Sequence, residues 1–105
     1  MSNLDEREKN FERRFELDQE FAFKVKSRRN KIVGHWAASI LGKQGADEES
    51  YVKDVVAAEL GKHGEEHVVD KLVKDLAAKG IDRARVMVEL DNATAQAKKE
   101  LGAPK

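Results

Sequence analysis

The chain contains a single proline, Pro104, next to its C-terminal residue. Proline cannot donate into a helix ladder and clashes with the turn before it, so a chain free of it up to residue 103 can hold helices of any length. The glycines fall almost entirely where helices would end, at Gly42, Gly45, Gly61, Gly64, Gly80 and Gly102. Glycine closes helices well because it enters the left-handed region at little cost. Strand-like alternation of β-branched residues is lacking apart from the brief "RVMVEL", which also fits a helix. These features predict an all-α protein.

Four apolar stripes follow from the helical period. The first helix is expected to start near Asn3, which can cap while Glu6 reaches back and Asp5, Glu6 and Glu8 meet the positive helix end. Its main stripe is Phe21, Val25, Ile32, Trp36 and Ile40, and it stops at Gly42. The loop "GKQGADEE" leads to Asp47 as the next N-cap. A second helix carries Tyr51, Val52, Val55, Val56 and Leu60 up to Gly61. A third carries Val68, Val69, Leu72, Val73 and Leu76 up to Gly80. Asp82 caps a fourth, with Val86, Leu90, Ala93, Ala97 and Leu101. Short loops between amphipathic helices make a small four-helix bundle.

The bundle core can be built from Phe21 onward, which divides the chain into a mobile N-terminal segment, 1–20, and a bundle domain, 21–105. Residues 1–20 hold seven acids and four bases, a net of −3. Glu8, Glu12, Glu16 and Glu20 form a like-charge row at i,i+4, each pair costing about 0.2–0.5 kcal/mol, only partly offset by Asp5–Lys9 and Arg14–Asp18. The segment is helix-competent but marginal alone. Phe11 and Phe15 lie one turn apart in this polar tract, with Leu4 seven residues earlier. Two readings stay open: they fold back as ordinary core, or they anchor an amphipathic helix in a partner's groove. The sparse apolar content favours the groove. A membrane surface is disfavoured because the polar face is net acidic.

Other constellations point away from catalysis. "KVKSRRNK" places Lys24, Lys26, Arg28, Arg29 and Lys31 within eight residues, which raises a nucleotide-binding or nucleic-acid-binding regulator as rivals. A formal net charge of zero argues instead for a solvated or acid-paired face. In "HGEEH", Gly64 sits at a turn between His63 and His67, so the two imidazoles need not share a face, and no third metal ligand is evident. His35, beside Trp36, is expected to be half-buried, and Ser39 one turn on lacks an orienting acid. With no nucleophile–base set, phosphate loop or carboxylate cleft, the chain is expected to be no enzyme and to carry no cofactor or metal. There is no cysteine, apolar leader or run of roughly 20 apolar residues, so a cytoplasmic protein without membrane insertion is expected.

The string "DEREKNFERRFELDQE" followed by "FKVKSRRNKIVGHWAASILG" closely resembles the zeta-type inhibitor subunit of alphaproteobacterial F-type ATP synthases. The similarity continues through "GADEESYVKDVV" and the later helices. Family members carry an acidic-basic N-terminus with two phenylalanines and an "RRNKLLGLWAAE"-like core, here Arg28 to Ala38. His35 stands where the family often has leucine, and Ser39 where it often has glutamate. The resemblance implies a four-helix inhibitor of ATP hydrolysis that binds the catalytic head through its α, β and γ subunits. Its inhibitory element maps to residues 1–20, inserted at an α/β catalytic interface, with Leu4, Arg7, Phe11, Arg13, Arg14 and Phe15 as the expected partner-binding residues. The resemblance also allows an adenine nucleotide, and no nucleic acid is expected as a partner.

Overall fold

A computed structural model describes residues 2–102, with side chains from Gln19 to Gly102. The described chain is all-α. Helix α1 spans Ser2–Ile40, α2 Ala46–Ala58, α3 Gly64–Leu76 and α4 Arg83–Leu101, with a 3₁₀ turn at Ala77–Lys79 between the last two. There is no strand among the described residues. The "RVMVEL" stretch is helical.

Local chemistry sets the helix ends. Helix α1 closes in a Schellman motif: the N–H of Lys43 donates to the Ala38 carbonyl at 2.9 Å, that of Gly42 to Ser39 at 3.2 Å, and Gly42 takes φ +75°. Asp82 caps α4 as expected, its carboxylate accepting from the Arg85 N–H at 2.9 Å. The second helix departs from expectation at both ends. Its N-cap is Gly45, and Asp47 lies inside the first turn, where its charge still faces the positive helix end. Its last residue is Ala58, so Leu60 leaves the stripe and stands 71% exposed. Glu59 is the C-cap, and its side chain turns inward to a buried arginine, while Gly61 at φ +89° carries the chain away.

Helix α2 runs back along α1, as the succession His35–Glu48, Gly34–Val52 and Asn30–Glu59 shows. The line of closest approach is made of small residues. A Cβ on Gly34 would sit 3.2 Å from the Val52 Cα, and Ala37 and Ala38 are fully buried beside it. Sequence periodicity weights bulky residues and set the stripe on Ile32, Trp36 and Ile40. These are instead the half-buried flanks that close the sides of a tight helix pair. Trp36 is therefore not a central core residue. The centre is Val33, Ala37, Val55, Val68, Leu72, Leu76 and Val86. Tyr51 joins α2 to α3, donating its hydroxyl to Asp75 Oδ2 at 2.8 Å beneath the Lys71 ammonium, 4.9 Å from the ring centroid. Burial, then the adjoining Asp75 carboxylate, push the phenol well above its ordinary pKa. In the fourth stripe Val86, Leu90, Ala93 and Ala97 are buried, while Leu101 is 40% exposed at the helix end.

Candidate protein-interaction site at the neck of the long helix

Helix α1 is 39 residues long, about 58 Å at 1.5 Å per residue, and accounts for a longest dimension of 63 Å. Gln19 and Glu20 are exposed, Phe21 is half-buried, and Val25 is the first fully packed side chain after them. Residues 19–30 thus form a neck where a helix becomes part of a bundle. The backbone of the N-terminal candidates belongs to α1, but the side chains of Leu4, Arg7, Phe11, Arg13, Arg14 and Phe15 lie outside the described residues.

The neck is held by the arginines of "KVKSRRNK". Arg29 is 5% exposed and donates to Glu59 Oε1 at 2.6 Å, Glu65 Oε1 at 2.8 Å and Asn30 Oδ1 at 3.0 Å. Asn30, fully buried, returns a bond from Nδ2 to Glu59 Oε1 at 3.1 Å. Two carboxylates from the α2–α3 corner therefore face one guanidinium on α1, whose Nε–H donates to Asn30. Among the described residues no buried side-chain polar atom lacks a partner. Arg28 pairs separately with Glu100 of α4 at 2.5 Å, which holds the Glu100 carboxyl below the usual range. The acid-paired reading of this tract holds for both arginines. Lys24, Lys26 and Lys31 are exposed.

Two of the grooves at the neck run between α1 and the other helices. One, of about 570 Å³, lies between α1 and the α3–α4 pair and is lined by Phe21, Val25, Val69, Met87, Leu90 and Thr94. The other, of about 400 Å³, lies against the α2–α3 corner between Phe23 and Leu60, with Asn30, Val56 and His63 on its walls. Phe23 is 68% exposed. Neither exposure is expected from the periodic stripes, which leave Phe23 out and count Leu60 in. Phe23 falls off the apolar stripe, a visible signal, whereas Leu60 lies beyond the end of α2, where Glu59 is held by Arg29 from far along the chain.

The remaining candidates separate. His63 caps α3 in the left-handed region at φ +60°, His67 lies on an exposed face, and no group of three or more metal-ligating residues occurs among the described residues. His35 is exposed rather than half-buried, because its position falls outside the small-residue line; its Nδ1 lies 3.1 Å from Glu48 Oε2. Ser39 is exposed. No described helix is long and apolar enough to cross a membrane. The arrangement offers a long helix, a braced neck and grooves of exposed apolar groups, which is equipment for binding a protein. No curated protein matches the chain. The family described as ATPase inhibitor subunit zeta matches residues 1–100, and the chain belongs to that family.

Proposed function

We propose that this protein is a non-catalytic, cytoplasmic regulator that binds the catalytic head of the F-type ATP synthase and blocks ATP hydrolysis. Residues 1–20 are the inhibitory element, seated at an α/β catalytic interface and reaching toward the γ stalk; residues 21–105 are the domain that carries it. Leu4, Phe11 and Phe15 supply apolar anchors, and Arg7, Arg13 and Arg14 pair with acidic groups around them. The observation that carries the reading is the helix that outruns its bundle. The described core closes on itself from Val25 to Ala97, leaving about 28 Å of α1 ahead of Phe21 for another surface. Insertion of a helix there would hold the interface in one state and prevent the opening and closing that hydrolysis requires. Adenine nucleotide is left without a described site, and the braced arginines argue against a nucleic-acid role.

The test is an ATPase titration of the catalytic head with the full chain, with the chain lacking residues 1–18, and with Phe11→Ala and Phe15→Ala. The truncated protein is expected to melt like the full chain and to lose inhibition. Each alanine variant is expected to weaken binding by more than about 2 kcal/mol, over tenfold. A truncated chain that inhibits fully, or that unfolds, overturns the assignment of residues 1–20.

A further inference from the structure

The helical period links the N-terminal segment to one of the two grooves. Positions 4, 11, 15, 22, 29 and 33 are spaced by seven, four, seven, seven and four residues, close to whole turns, so they occupy one face of α1. Position 22 lines the larger groove together with Phe21, Val25, Met87 and Leu90. Phe23 and the smaller groove lie roughly 100° around the helix from that face. No glycine or proline interrupts α1 before Gly34, so nothing in the sequence breaks this alignment across the neck.

We infer that the groove between α1 and the α3–α4 pair is a second docking surface for the catalytic head. It receives an apolar patch on the part of that head bordering the seated N-terminal helix. The inference rests on the reading of residues 1–20 given above. A surface that covers the face of positions 4, 11 and 15 meets the step where α3 and α4 first flank α1, and this groove is that step. Met87 stands 43% exposed there, Phe21 and Ala22 face it from α1, and Lys26 and Lys98 stand at its edge with Asp91. An apolar floor with charges at the edge suits a protein contact continuous with the first.

The experiment measures half-inhibiting concentrations on the catalytic head for Met87→Glu, Ala22→Glu, Val88→Glu and Phe11→Ala, with a melting curve and sedimentation of each free protein. Val88 is 52% exposed on the same helix and lines neither groove. Met87→Glu and Ala22→Glu are expected to weaken inhibition about tenfold with unchanged melting, and Val88→Glu less than twofold. If the two groove variants match Val88→Glu while Phe11→Ala is weak, the groove is idle and the N-terminal reading survives. If Phe11→Ala and the groove variants all inhibit normally, both readings fall. If Phe11→Ala inhibits normally and the groove variants are weak, the N-terminal reading falls and the groove alone docks. A wild-type dimer that Met87→Glu converts to monomer would assign the groove to a second copy of the chain and overturn the inference.

Discussion

Replacing Arg29 by alanine tests the neck directly. The side chain is nearly sealed, and it satisfies three acceptor groups at 2.6, 2.8 and 3.0 Å. Those acceptors differ in how much water can replace the lost donor. The Glu65 side chain is 63% exposed, so its share is that of a surface pair, under about 1 kcal/mol. The Glu59 side chain is 18% exposed and keeps only the bond from Asn30, while Asn30 Oδ1 loses its donor inside the fold. Stranding one partner of a buried pair costs about 3–5 kcal/mol, and the partial access of Glu59 places Arg29→Ala near the lower end, about 3 kcal/mol. For a chain of this size that lowers the melting temperature by about 12–20 °C. Urea and thermal unfolding at neutral pH provide the measurement, with Glu65→Gln as the comparison, expected to lose less than about 1 kcal/mol. Equal losses for the two variants would refute the claim that burial at Glu59 and Asn30 dominates the network.

Other expectations follow from the same corner and from the helix ends. A Cβ on Gly64 would lie 1.9 Å from the Glu59 carbonyl oxygen, so Gly64→Ala must shift backbone; a loss of at least about 2 kcal/mol in urea unfolding is expected. His63→Gly, one residue earlier, relieves a side chain held at φ +60° and should stabilise by up to about 1 kcal/mol in the same assay. Asp82→Ala removes the α4 cap and should cost about 0.5–2 kcal/mol. Glu100 should titrate below the ordinary glutamate range by NMR, chiefly through its hydrogen bond from Arg28 and then that from Gln96, and should move back toward that range in Arg28→Ala. Its folded pKa is lowered, so its contribution is present above the unfolded value and is lost as pH falls through the folded one. Melting of Arg28→Ala should therefore lose less on acidification than that of the wild type.

The helix count and most boundaries were legible because they are local. The Schellman closure at Gly42, the cap at Asp82 and the stop at Gly80 each need only a few neighbouring residues. The errors share a different origin. The period alone allows Leu60 in a stripe, whereas Glu59, bonded to Arg29 30 positions away, is already the C-cap of α2. The period puts Trp36 in the main stripe, whereas the closest helix pair is built on Gly34, Ala37 and Ala38. His35 followed Trp36 inward by association and instead faces water and Glu48. The neck was half legible: the arginine tract was visible as acid-paired, but its partners come from three other helices or corners. The anchoring residues proposed in the N-terminal segment were visible only as a sparse apolar pair among charges.

An unbroken α1 also works as a threaded rod, converting residue count into angle and distance. Each residue added between positions 19 and 24 would advance the tip by 1.5 Å and turn it by about 100° relative to the bundle. One inserted alanine would keep the helix and the fold, yet point the tip's apolar side almost sideways. Seven would restore the heading to within about 20° while lengthening the rod by roughly 10 Å. Length changes in related chains should therefore be scarce at the neck, and where they occur they should run to about seven or eleven residues, or to eighteen where heading must be kept in full.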